Sequence, residues 1–208
     1  MSHALTAPTI HDPVALQGYQ HELYKQHDLT LLATAQATSS ESLDFTSGID
    51  GKYKKIVFEI DIVPTSDDVG LNMRVSVDAG TSWVSTGNLY DWAIVGRSGP
   101  TNLTANDASA NEIGLIPGGD LGGTNAIGNG IREGCRFDVE MRLASDDSYF
   151  TEFNANNIFW WTADAETCTA HLSGGYLSTN IVDAVQFFPE SGYISTGTIK
   201  MYGYADRP

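Results

Sequence analysis

The sequence predicts an all-β chain, an antiparallel β-sandwich of jelly-roll type preceded by an N-terminal arm. Three observations carry that expectation. The first is strict apolar alternation, clearest where Cys135, Phe137, Val139, Met141 and Leu143 interleave with Arg136, Asp138, Glu140 and Arg142. A period of two places one set on a buried face and the other toward water. The second is composition: 21 glycines and only 18% charged residues in 208 favour short strands and many turns over helices. The third is the closing stretch Val182–Ala205, which reads as two strands reversed by Pro189, Ser191 and Gly192.

Residues 1–27 differ from the rest. They hold Pro8, Pro13 and four of the five histidines. Asp12-Pro13 can start a short helix with Leu16, Tyr19 and Leu23 along one stripe, and Gly18 weakens it. The segment is too short to bury a core alone, so it is expected to pack, through those three residues, against its own domain, a sister subunit or a neighbouring protein. Residues 28–208 form the sandwich domain, with no internal repeat or linker to divide them.

The strands are expected in order at Leu29–Ala35, Leu43–Phe45 and Tyr53–Val63, the last carrying Ile56, Phe58, Ile60 and Ile62 on one face. Leu71, Met73, Val75 and Val77 alternate with Asn72, Arg74, Ser76 and Asp78 in the next. Trp83-Val84 and Leu89–Val95 continue the meander. Residues 96–130, rich in Gly, Asn and Ala, read as a long irregular excursion with one strand at Glu112–Ile116. Long excursions in compact domains usually make contacts, so Ile116 and Leu121 are candidate partner residues. Ile158–Thr162, Thr167–Leu172 and the closing hairpin bring the expected count to nine or ten strands. Trp160 and Trp161 are consecutive, so one faces the core and the other the opposite side. They serve core packing or a subunit contact ahead of stacking on a glycan.

Little in the chain points to catalysis. Ser76-Val77-Asp78-Ala79-Gly80-Thr81-Ser82-Trp83 resembles the Asp-box turn of sialidase propellers, but occurs once in a chain too short for six blades, and so marks a hairpin turn. The acids at Asp67-Asp68, Asp146-Asp147 and Asp164–Glu166 read as solvated turn residues. Gly118–Gly123 precedes no helix and fails as a phosphate loop. Cys135 and Cys168 lie among apolar neighbours, the setting of buried small hydrophobes. No residue is assigned to catalysis, a cofactor or a metal. The net charge of −15 opposes binding to nucleic acid or an anionic membrane. No apolar run suits a membrane helix, and Met1–Ala4 lacks the start of a signal peptide, so assembly in the cytoplasm is expected.

Three segments together resemble a known group. They are Phe45-Thr46-Ser47-Gly48-Ile49-Asp50-Gly51-Lys52-Tyr53 with Ile56-Val57-Phe58, the Asp78–Trp83 turn, and Val185-Gln186-Phe187 followed by Ser191-Gly192 and Ile194–Gly203. Their order resembles small virion proteins of tailed bacteriophages, whose ends carry Ser-Gly and Ser-x-Gly-Thr before a final Tyr-Gly. Tyr193 replaces the usual Asn, and Phe188-Pro189-Glu190 departs from the usual polar run. The resemblance implies a virion structural protein assembled in a host cytoplasm. A capsid decoration (cement) protein is the leading form, and a tail fibre, adaptor or glycan-binding module the alternative. It implies a homotrimer, with the major capsid protein or other virion proteins as partners and a host-surface glycan in the alternative. It carries no catalytic residues.

Overall fold

The computed structural model describes residues 29–118, 125–143, 149–162 and 166–204. Every regular element among them is a β-strand. In chain order these are β1 (Leu29–Ser40), β2 (Leu43–Phe45), β3 (Lys55–Pro64), β4 (Leu71–Ser76), β5 (Tyr90–Ser98) and β6 (Thr101–Ala110). The remainder are β7 (Ile113–Ile116), β8 (Gly134–Arg142), β9 (Thr151–Trp161), β10 (Thr167–Tyr176), β11 (Ala184–Pro189) and β12 (Ile194–Tyr204). Two antiparallel sheets pack as a sandwich. One runs β1-β12-β3-β8-β9-β10-β5-β6 and the other β2-β11-β4-β7.

The order has a simple origin. Pairs β1·β12, β2·β11, β3·β8 and β4·β7 are all antiparallel ladders. They are the successive rungs of one long hairpin folded over on itself, with alternate rungs in alternate sheets. This is the jelly-roll plan. Two further hairpins, β5–β6 and β9–β10, are inserted into it and widen the first sheet only. They join through the β10·β5 ladder.

The expected alternation places the core. Ile56, Phe58, Ile60 and Ile62 of β3 and Cys135, Phe137, Val139 and Met141 of β8 are buried on the inner face of the wide sheet. Leu71, Met73 and Val75 of β4 meet them from the narrow one. At the joint, Phe58 lies 5.3 Å from Phe45 and 5.0 Å from Phe187, ring centre to ring centre, both edge-on. That is the favourable arrangement for ring quadrupoles. Cys135 and Cys168 flank Trp160 on neighbouring strands, unbridged and buried.

Four expectations require correction. The segment Val182–Ala205 is not a hairpin: β11 and β12 belong to different sheets. Turn residues announce a reversal, but not whether the two strands pair sideways or face each other across a core. Gly192, at φ +71°, makes the crossover, which is tied to the β3–β4 crossover by Tyr193 N–H donating to Thr65 Oγ1 at 3.0 Å. Residues 96–130 are not one irregular excursion, because β5 runs to Ser98 and Thr101–Ala110 forms the edge strand β6. Only Leu103 and Ala110 of β6 are buried, so it lacks an alternating pattern to be read. Trp83-Val84 is not a strand, and Val77 is exposed. The Ile158–Thr162 strand begins earlier, at Thr151, and contains a bulge at Asn156-Asn157. The arm lies outside the described residues.

Removing the Phe58 ring by Phe58→Ala should cost about 3–5 kcal/mol, the range for large-to-small changes at a closed core site. Denaturant unfolding of the variant against the parent chain measures it.

Candidate functional site

The wide sheet extends past the narrow one beyond β7, and a cleft of about 380 Å³ lies at that step. Asn72 and Arg74 of β4 line it, because they alternate with the core residues Leu71, Met73 and Val75 and so project from the outer face of the narrow sheet. Glu112 arrives from the β6–β7 connection, Glu190 from the end of β11, and Trp92 and Asp107 from the β5·β6 ladder, where they are direct partners.

Glu112 is the hub. Its Oε1 accepts from Asn72 Nδ2 at 3.0 Å, and its Oε2 pairs with Arg74 Nη2. Asn72 is 4% exposed, so its amide is satisfied inside the protein. The Arg74 guanidinium also lies over the Phe188 ring, 4.3 Å from its centre, which holds its plane. Glu190 Oε1 accepts from Gly118 N–H at 2.9 Å and pins the chain after β7. Gly114 lies between these groups and Trp92. A Cβ there would come within 3.0 Å of the indole, so a larger residue would push the ring aside.

Two donors remain. Among the described residues, Arg74 Nε and Trp92 Nε1 are the buried side-chain nitrogens with no hydrogen-bond acceptor. Both residues line this cleft. Both nitrogens are closed to solvent, so each is a hydrogen bond left unmade inside the fold.

The residues singled out from sequence are scattered. Ile116 and Trp160 are fully buried within the chain, Trp160 being the core-facing member of its pair. Ile116 pairs with Leu71 in the narrow sheet, and the Trp160 indole donates to Asn125 O at 2.8 Å. Trp161 does stand on the outer face, edge-on to Phe159 at 5.9 Å. Leu16, Tyr19, Leu23 and Leu121 lie outside the described residues. Asp67 and Asp68 accept from Asn129 N–H and Ala126 N–H, at 2.9 and 3.2 Å, and so hold the 125–130 segment. Among the described residues no three His, Cys, Asp or Glu side chains are grouped to hold a metal. Arg74, Trp92, Asp107 and Glu112 had no joint signal in the sequence. Arg74 read as an outward strand residue, and nothing linked it to an acid 38 positions later.

The Asp78 turn forms as its residue types require. Ser82 N–H and Oγ–H donate to Asp78 at 2.9 and 2.7 Å, and Gly80 takes φ +78°. Gly80 packs on Thr46, leaving no room for a Cβ. Hydrogen bonds from the Ser82 side chain and backbone, then from Ser76, hold the Asp78 carboxyl down to about 2. The fold therefore favours the ionised form. Its contribution to stability is whole above the ordinary 3.8 and is lost as pH falls through about 2. Asp78→Asn should reduce the loss of stability across that window, read by comparing unfolding midpoints of the two chains on either side of it.

No protein-family model matches the chain, and no curated protein or solved structure matches it either.

Proposed function

We propose that this chain is a non-catalytic structural protein of a bacteriophage particle, a capsid decoration protein that bridges neighbouring shell subunits as a homotrimer. One observation carries the reading: the three segments of the phage resemblance, distant in sequence, pack as a single unit. Phe45 pairs with Val185 in the β2·β11 ladder and its ring meets Phe187 at 6.2 Å. Thr46 lies against Gly80 of the Asp78 turn, and Asp183 accepts from Ala79 N–H at 2.9 Å. Gly203 lies under the Tyr53 ring, where a Cβ would come within 2.5 Å. The three segments thus brace one another through close packing, so the likeness is one of scaffold and fits a module whose work is to be rigid.

The outer face of the wide sheet supports the reading further. On it Arg136 meets Asp61, and Lys200 and Tyr202 meet Glu59 at 3.3 and 3.0 Å, on the same face as the Phe159 and Trp161 rings. Exposed pairs of this kind add little stability. They leave the face free to exchange partners. A tail fibre or adaptor position suits the same module, and imaging of labelled particles separates head from tail.

Deletion of residues 1–27 should leave a folded domain that no longer loads onto particles. Loading of the intact chain should weaken as salt rises, since a chain of net charge −15 would be drawn to basic shell surfaces. Co-sedimentation with particles measures both. Full loading of the truncated chain removes the arm from the account.

A further inference from the structure

We propose that the outer corner of the wide sheet formed by Leu29, Leu31, Tyr202 and Tyr204 is the seat of this chain's own N-terminal segment, with Leu16, Tyr19 and Leu23 as the side chains that cover it. The inference does not depend on the particle-bound role. It rests on how β1 is built and on where the chain enters it.

The leucines of β1 change face partway along the strand. Ala33, Ala35 and Ala37 point toward the core, opposite Met201, Ile199 and Gly197 of β12. A period of two continued toward the N-terminus would carry Leu31 and Leu29 inward as well. Instead the register shifts between Leu31 and Ala33, and the extra residue, Leu32, packs on the core. Leu31 and Leu29 are thereby turned to the outer face, as partners of Tyr202 and Tyr204. Bulges of this kind re-aim side chains, and this one sends two leucines to water. They are 54% and 45% exposed.

The corner asks for an apolar cover. Tyr202 Oη–H donates to Glu59 at 3.0 Å, and Lys55 lies over the Tyr204 ring, 4.6 Å from its centre, while pairing with Glu140. With those groups engaged, what the corner offers is the apolar surface of two leucines and two aromatic rings. The segment that enters the sheet here carries a matching stripe. Leu16, Tyr19 and Leu23 recur at i, i+3 and i+7, one side of a helix. Residues 24–28 follow the stripe and lead directly into Leu29. A stretch of that length reaches at most about 18 Å, enough to reverse the chain over the corner. A helix over residues 16–23 would be about 12 Å long, which spans two neighbouring strands roughly 5 Å apart. The tether also holds the stripe near the corner at an effective concentration on the order of millimolar, ahead of a free partner or a second copy.

The test uses the full, isotope-labelled chain with His21→Cys, on the far side of the stripe, carrying a nitroxide. Cys135 and Cys168 are buried and stay unlabelled. The sample is diluted with excess chain that carries neither isotope nor nitroxide, so that only contacts within one chain register. The nitroxide should then broaden the Leu29 and Leu31 methyl resonances and the Tyr202 and Tyr204 ring resonances. Leu31→Ser alters an exposed side chain, so it should keep the folded spectrum while abolishing the broadening. It should also speed tryptic cleavage after Lys25, the only lysine or arginine before Leu29, about tenfold. The proposal is overturned if the corner is not broadened, or if the broadening disappears on dilution because it arises between chains. It is overturned equally if Leu31→Ser leaves broadening and cleavage unchanged. Particle loading is a separate measurement, so either idea can fail alone.

Discussion

An eight-stranded layer is packed against a four-stranded one, and most of the molecule's features follow from that mismatch. A sheet must bury its apolar face against something, and the narrow sheet can cover only part of the wide one. Over β3 and β8 it does so directly, through the Phe45, Phe58 and Phe187 cluster. Beyond β7 other devices close the inner face. Tyr90 and Tyr176 pack together at 5.6 Å, and the Tyr90 phenol accepts from Val75 N–H while donating to Val84 O, both at 3.0 Å. Burial raises that phenol well above the usual tyrosine range. On the far side, the segment 125–128 closes over Trp160 and is tied to Val69 and Trp161.

The cleft at Arg74 belongs to the same geometry. Where the narrow sheet ends, the outer-face residues of β4 come level with Trp92 and Asp107 of the wide sheet. Gly114 permits the close approach of backbone and indole there. Polar side chains from β4, β5, β6, the β6–β7 connection and the end of β11 thus meet at one step in the sandwich.

The residues of segments 45–58, 78–83 and 185–203 do different work. Gly80 lies against Thr46 and Gly203 under the Tyr53 ring, close approaches that leave no room for a Cβ.

The sequence by itself determined the class of fold, the faces of β3 and β8, and the Asp78 turn. These depend on side-chain period and local hydrogen bonding, both carried by neighbouring residues. It left open which of Trp160 and Trp161 faces inward. The bulge at Asn156-Asn157, with Asn157 at φ +56°, shifts the phase of β9 and buries Trp160. It misread Val182–Ala205, because a turn looks the same whether the next strand pairs beside it or crosses to the other layer. It could not assemble Arg74, Trp92, Asp107 and Glu112, whose proximity is created only when the inserted β5–β6 hairpin joins the wide sheet. Periodicity is local and survives in one dimension; sheet membership and the meeting of distant polar groups are decided by packing, so they exist only in three.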